Sequence, residues 1–127
     1  MSKHYFIFVL LCLALSGCGN GFIPVHGKVT FEDGSPLTQG GIAFSTATFM
    51  ADGKIQADGS FTLTSSKPGD GLPPGNYTVT ISASKTDDKE RTIYLVDPKF
   101  GDVTTSPLTA EVSGNQKIFD FQVSKPK

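Results

Sequence analysis

The sequence predicts an all-β protein, an antiparallel β-sandwich of about seven short strands. The 127 residues include 14 glycines and eight prolines, a composition that favours many short strands joined by turns. Apolar and polar residues also alternate over short stretches, which is typical of strands with one buried face. A chain of this length suits one domain with a single core. We expect little helix.

The N-terminal residues predict a targeting segment rather than part of the folded domain. Lys3 precedes an uncharged apolar run at residues 5–15, and this order is typical of a secretory signal peptide. A membrane-spanning helix needs about 20 apolar residues, whereas this run has 11. We therefore predict export rather than a retained transmembrane helix.

The residues that follow the apolar run indicate how the chain is processed. Leu15, Ser16, Gly17 and Cys18 resemble the lipobox of bacterial lipoproteins, in which an aliphatic residue and two small residues precede a cysteine. The resemblance implies that the Cys18 thiol receives a diacylglyceryl group and that signal peptidase II cleaves before it. The alternative is an ordinary cleavage site at residues 14–16, which would leave Cys18 as a free thiol.

Cleavage before Cys18 would divide the chain into four segments. These are a signal peptide at 1–17, a lipidated tether at 18–22, a sandwich at 23–124 and a C-terminal tail at 125–127. Removing Lys3 leaves 10 basic residues against 12 acidic ones, so charge alone would not hold the mature chain at a membrane. Two or three acyl chains hold a protein stably. The lipid on Cys18 is therefore the predicted link to the membrane.

Alternation marks the strands in the first half of the sandwich. The first predicted strand lies at residues 23–31 and the second at residues 40–45. A hairpin is predicted to pair residues 54–56 with residues 60–64, because the Asp-Gly pair between them suits a tight turn. The side chains expected to face the core are Ile23, Val25, Val29, Phe31, Ile42, Phe44, Phe61 and Leu63.

The second half follows the same pattern after a loop rich in proline and glycine at residues 67–75. A long strand is predicted at residues 76–84, and a charged excursion and a second loop follow it. A last hairpin is predicted to pair residues 108–112 with residues 117–123. The side chains expected to face the core are Tyr77, Val79, Ile81, Ala83, Leu108, Ala110, Val112, Phe119, Phe121 and Val123.

Several motifs in these strands and turns resemble a known domain family. They are VHGKVTF (25–31), DGSPL (33–37), ADGSF (57–61) and PGNYTV (74–79), and they look like the carboxypeptidase regulatory-like, transthyretin-like domain. Two later motifs, DPKFGD (97–102) and SPLTAEV (106–112), look like small bacterial lipoproteins that consist of one such domain. The resemblance implies an exported, membrane-tethered sandwich without a catalytic role.

Catalysis and metal binding would need residues that the mature sequence does not supply. It has one histidine, His26, and one arginine, Arg91, so the paired histidines of the transthyretin-like hydrolase of 5-hydroxyisourate have no counterpart. The carboxylates do not follow the spacing of a calcium-binding EF-hand loop. We predict no enzyme activity, no cofactor and no metal site. The balanced, scattered charge also argues against a nucleic-acid partner.

Two functions remain open from the sequence. The first is a non-enzymatic lipoprotein of the cell envelope that serves as a structural or protein-interaction module. Gly19 after the lipobox is not the aspartate that retains some lipoproteins at the inner membrane, but that sorting rule does not hold in all bacteria, so the sequence leaves both membranes open. Of the two we expect the outer membrane. The second function is a carbohydrate-binding module in which Phe49, Tyr94 and Phe100 stack on sugar rings. Alternatively, these three rings cover the ends of the sandwich.

Overall fold

The computed structural model describes residues 21–127. The predicted signal peptide at residues 1–17 and the predicted lipidated Cys18 lie outside the described residues. Within that range the chain forms nine strands and a short 3₁₀ helix at Pro98–Gly101. The strands are β1 (His26–Phe31), β2 (Gly41–Ser45), β3 (Met50–Lys54), β4 (Ser60–Thr62), β5 (Gly75–Ser82), β6 (Ser84–Thr86), β7 (Thr92–Tyr94), β8 (Leu108–Val112) and β9 (Ile118–Val123).

Two sheets build the sandwich. One has three strands in the order β4-β1-β9, and the other has four strands in the order β3-β2-β5-β8. Strands β6 and β7 form a separate two-stranded hairpin. The prediction of an all-β sandwich is confirmed, and the two larger sheets together hold the expected seven strands.

The last predicted hairpin is wrong, although both of its strands exist. Strand β8 pairs with β5 in one sheet, whereas β9 pairs with β1 in the other sheet. A tight turn, in which Ser113 and Gln116 exchange two backbone hydrogen bonds of 3.1 Å, carries the chain from one sheet to the other. The β1–β9 pair is also parallel. A short turn fixes how close two strands are, but it does not decide whether they pair within one sheet.

The predicted hairpin in the first half needs a similar correction. Strand β3 begins at Met50 rather than at residue 54, and it lies in the four-stranded sheet, while β4 lies in the three-stranded sheet. The two strands meet at one bridge, where Asp52 and Thr64 exchange backbone hydrogen bonds of 3.0 and 2.8 Å. The Asp-Gly turn forms as expected, with the Gln56 N–H donating to the Ser60 carbonyl at 2.9 Å.

A cluster of aromatic rings joins the two sheets. The ring of Phe44 from β2 lies between 5.7 and 6.4 Å from the rings of Phe61, Tyr77, Phe119 and Phe121. Three of these partners come from the opposite sheet, and Phe44 itself is fully buried. Burial of such large side chains supplies most of the favourable free energy of folding.

The strands give the sandwich two distinct ends. At the N-terminal end, the Ile23 N–H donates to the Leu72 carbonyl at 2.7 Å, and the Phe22 ring meets the Phe49 ring. The loops at this end are residues 46–49, 65–74 and 113–117. The distal end consists of residues 32–40, 55–59, 83–107 and 124–127. Strand β5 has eight residues, so the two ends are roughly 25 Å apart.

Candidate functional site

The predicted lipid attachment site cannot be placed by the structure. Leu15, Ser16, Gly17 and Cys18 precede the described residues. What the structure does place is Phe22, whose ring lies against Phe49 at the N-terminal end. Lipidation of Cys18 therefore stays a prediction.

Phe49 lies at the N-terminal end in the turn between β2 and β3. The turn is closed by the Thr46 hydroxyl, which accepts hydrogen bonds from the Thr48 and Phe49 N–H groups at 3.3 and 3.1 Å. The Phe49 ring is partly buried against the core and contacts the Phe22 ring edge to face at 5.7 Å. It covers this end of the sandwich beside the tether.

Phe100 is buried, with 6% of its surface exposed, and this burial corrects its assignment as a ligand contact. It belongs to the 3₁₀ helix, which begins when the Asp97 side chain accepts a hydrogen bond from the Lys99 N–H at 3.0 Å. Pro98 has a fixed φ that suits this first turn. The helix turns the Phe100 ring into the core, so the ring offers no face to a sugar.

Tyr94 is the exposed member of the predicted trio, with 53% of its surface exposed. It ends β7 and lines a shallow cavity of about 260 Å³ at the distal end, beside Phe31, Leu37 and Lys125. Sequence reasoning missed the rest of this cavity. Leu37 and Lys125 lie in loop and tail segments, where alternation gives no signal.

The hairpin that carries Tyr94 is held by its own turn. The Asp87 carboxylate accepts hydrogen bonds from the Arg91 N–H at 2.8 Å and the Lys89 N–H at 2.9 Å, and it forms an ion pair with the Arg91 side chain. These contacts lower the pKa of Asp87, the Arg91 N–H bond being the largest cause. All six residues of β6 and β7 are exposed, so the hairpin projects from the sandwich.

The three aromatic side chains do not form one platform. Phe49 lies beyond Ser45, where β2 ends, whereas Tyr94 pairs with Ser84, beyond the Ser82 that faces the start of β2. The two rings therefore sit at opposite ends of the four-stranded sheet. With Phe100 buried, Tyr94 is left as a single exposed ring.

Several aspartate carboxylates in the described residues stabilise turns by accepting hydrogen bonds. In three turns of the distal end an aspartate accepts hydrogen bonds from the hydroxyl and the N–H of the residue two positions later. These bonds, the hydroxyl bond first, lower the pKa of each carboxyl below its usual value. The aspartates are Asp33, Asp58 and Asp102.

The N-terminal end has one carboxylate with more partners. Asp70 accepts hydrogen bonds from the N–H groups of Ser65, Ser66 and Lys67 at 2.8 to 3.1 Å, and from the Ser65 hydroxyl. These bonds, with the Ser65 N–H first, hold the pKa of Asp70 far below its usual range. The carboxylate thereby fixes the loop of residues 65–70 against the end of the sandwich.

Charged and metal-ligating side chains in residues 21–127 lie outside the core and do not gather into one cluster. This part of the chain has no group of three or more His, Cys, Asp or Glu side chains that could hold a metal ion, and its core contains no polar or charged residue. His26 is exposed on β1. Burial raises the pKa of Tyr77, whose hydroxyl donates to the Pro73 carbonyl at 2.7 Å. No helix in residues 21–127 is long and apolar enough to cross a bilayer.

The chain is similar to a few solved structures, and this similarity concerns its fold. No family model matches the chain, and no curated protein matches it. Among solved structures, it is similar to BcpA, the major pilin subunit of Bacillus cereus, at 9% identity over 84% of this chain with a TM-score of 0.50. The BcpA*(D312A) form gives 11% identity over 82% of this chain with a TM-score of 0.49. A 9R-lipoxygenase from Cyanothece PCC8801 gives 13% identity over 84% of this chain with a TM-score of 0.39.

The likeness to these proteins is partial. The chain spans 30% of the length of either pilin and 17% of the lipoxygenase. At 9% identity, the similarity to the pilin subunit concerns the fold alone. The chain is a small β-sandwich whose fold is similar to part of the longer BcpA pilin subunit.

Proposed function

We propose that the chain is a lipoprotein of the bacterial cell envelope, held at the outer membrane by lipid on Cys18, with a sandwich that serves as a structural or protein-interaction module. The observation that carries the proposal is the lipobox directly after an export signal. The resemblance of the turn motifs to the carboxypeptidase regulatory-like domain supports a binding or structural role over catalysis.

The position of the tether also supports the proposal. Phe22 enters the sandwich at the N-terminal end, so a lipid on Cys18 would hold that end toward the membrane. The distal end would then point away from it, with the projecting hairpin of β6 and β7 and the cavity beside Tyr94. A module that recruits a partner needs its contact surface at the end that faces away from the anchor.

Removal of the modified thiol tests the anchor. Cys18→Ser should move the protein from the membrane fraction to the soluble fraction and abolish metabolic labelling with palmitate. Cys12→Ser is the matched control, because it replaces the other cysteine of the chain within the segment that we expect to be removed. If Cys18→Ser stayed in the membrane fraction as firmly as the unaltered protein, the lipid anchor would be rejected.

Separation of the inner and outer membranes by density tests the outer-membrane location.

Crosslinking tests the role of the distal end. A photoreactive amino acid at Tyr94 should capture an envelope protein in intact cells, whereas the same group at Met50, which is equally exposed at 58% but lies at the other end, should not. Equal capture from both positions would contradict a partner surface at the distal end.

Carbohydrate binding is the second candidate, and its support is the single exposed ring of Tyr94 beside the cavity. Sugar-binding surfaces depend on aromatic faces, and one ring gives little contact area. Retardation in gels that contain envelope polysaccharide, abolished by Tyr94→Ala, would favour this function. No retardation would reject it.

A further inference from the structure

The length of the tether limits how far the sandwich can stand from a bilayer. Three residues lie between Cys18 and Phe22, so four Cα–Cα steps join them, and a fully extended chain spans at most about 3.6 Å per step, or about 14 Å in total. Phe22 is already packed on Phe49 at the N-terminal end. If Cys18 carries lipid, as the proposed function requires, this end must lie within about 14 Å of the lipid glycerol groups, which places it beside or within the headgroup layer.

Each of the two sheets presents one exposed large apolar side chain at this end. Met50 of β3 is 58% exposed and Ile118 of β9 is 57% exposed. Met50 pairs with Ser45, the last residue of β2, and Ile118 pairs with His26, the first residue of β1. Both positions therefore lie at the N-terminal end, one on each sheet.

Charge is distributed unevenly between the two ends. The distal end carries eight carboxylate side chains and six basic ones, a net side-chain charge of −2; the carboxylates are Glu32, Asp33, Asp58, Asp87, Asp88, Glu90, Asp97 and Asp102, and the basic residues are Lys85, Lys89, Arg91, Lys99, Lys125 and Lys127. The N-terminal loops contain one carboxylate, Asp70, whose oxygens already accept backbone hydrogen bonds, together with Lys67 and Lys117. The loops at the N-terminal end carry a net charge of +1, so this end suits an anionic membrane surface slightly better than the distal end does.

We propose that the N-terminal end of the sandwich is a membrane-contact surface, in which Met50 and Ile118 enter the headgroup region of the same bilayer that holds the lipid on Cys18. The occupant of this surface is phospholipid. The inference rests on the proposed lipid anchor and adds to it a fixed upright orientation, with β5 along the membrane normal and the distal end roughly 25 Å above the surface. Exposed apolar residues beside a lipid anchor add buried apolar area and thus strengthen attachment.

Fluorescence quenching in vesicles tests the proposal. The lipidated full chain carrying Met50→Cys or Ile118→Cys is labelled with a thiol-reactive bimane and reconstituted into vesicles of phosphatidylethanolamine and phosphatidylglycerol that contain a headgroup nitroxide lipid. Val103→Cys is the matched control, because Val103 is 57% exposed in the distal segment. A chain without these substitutions should take no label, since Cys12 is removed with the signal and the Cys18 sulfur is in a thioether.

The proposal predicts that the nitroxide lipid quenches the labels at positions 50 and 118 several-fold more strongly than the label at position 103. Equal quenching at all three positions would overturn the membrane-contact surface while leaving the anchor intact. Quenching at only one of positions 50 and 118 would mean that the sandwich lies on one sheet, and this too would overturn the upright orientation. Shielding of both labels from iodide without lipid quenching would mean that a protein covers them. Labelling of the chain without introduced cysteines would show a free Cys18 thiol and reject the anchor itself.

Discussion

The two ends of the sandwich differ in how their loops are held. At the N-terminal end, Asp70 accepts hydrogen bonds from three successive backbone N–H groups, and Ile23 and Leu72 exchange two more bonds across the end. At the distal end, most turn carboxylates bond only to the residue two positions later. The Asp70 carboxylate therefore ties several residues of one loop together, whereas the distal carboxylates act within single turns. The distal segments are linked by backbone bonds instead, for example from the Ile55 N–H to the Gly40 carbonyl and from the Asp97 N–H to the Ser124 carbonyl, both at 2.9 Å.

The largest effect is expected where the two sheets are joined, since both ends depend on that joint. Phe44→Ala removes the ring that meets four other rings and should lower the free energy of unfolding by about 3–5 kcal/mol. Val103→Ala, at an exposed distal position, is the control and should change it by less than about 0.5 kcal/mol. Urea unfolding measures both. A similar loss for the two variants would mean that the aromatic cluster does not join the sheets.

Gly71→Ala should cause the next largest loss in the free energy of unfolding. Compared with Gly34→Ala, it tests whether the N-terminal end is packed more tightly than the distal end. Gly71 has φ +82°, and a Cβ there would collide with the backbone carbonyl of Ile23. We expect a loss of roughly 3 kcal/mol, from the left-handed conformation and the displaced carbonyl together. Gly34→Ala is the matched control, with φ +92° and open space around the added Cβ, and it should cost only about 1 kcal/mol. Equal losses would contradict a tightly connected N-terminal end.

Aspartates in the turns allow a second comparison of the stability of the two ends. Asp70→Asn should lower the urea midpoint at pH 7 more than Asp33→Asn does, because Asp70 accepts three backbone N–H bonds and Asp33 accepts one. The folded-state pKa of Asp70 lies below the unfolded value of about 3.9, so its stabilisation is present above that pH and is lost as the pH falls through the folded-state pKa. Stability measured from pH 7 to pH 2 should therefore fall less steeply for Asp70→Asn than for the unaltered protein. The same pH dependence for both would mean that the carboxylate does not fix the loop.

The smallest effect on stability is expected at the distal end itself. Tyr94→Ala removes an exposed ring and should change the free energy of unfolding by less than about 0.5 kcal/mol. In intact cells the same variant should reduce the yield of partner crosslinked from a probe at Ile93, the adjacent exposed residue. A stability loss as large as that of Gly71→Ala would show that the hairpin is part of the core rather than a separate contact surface.

Much of the fold could be predicted because alternation reports which face of a strand is buried. Val25, Val29, Phe61, Ile81 and Val123 were expected to face the core, and all five are buried. The pairing of strands was harder to predict. The parallel pair of β1 and β9 joins residues about 90 positions apart, and a local sequence pattern does not predict a pairing over that distance.

The sequence also gave no sign of the core residues that lie outside strands. Leu37, Ile55, Leu72 and Val96 are buried in connecting segments, where the side chains have no fixed period. Phe100 belongs with them, since a 3₁₀ turn in a long loop brings it inward. Of the three candidate ligand-contact residues, Tyr94 is exposed, Phe49 is partly buried and Phe100 is buried, and a ligand contact at Tyr94 stays a prediction.

Mass spectrometry of the N-terminal peptide of the protein purified from membranes tests the lipid anchor. We expect a peptide that begins at Cys18 and carries a diacylglyceryl group on Sγ, with no peptide from residues 1–17. A peptide that begins at Cys18 or Gly17 with an unmodified thiol, or one that still includes the apolar run at residues 5–15, would contradict the lipid anchor and the upright orientation that rests on it.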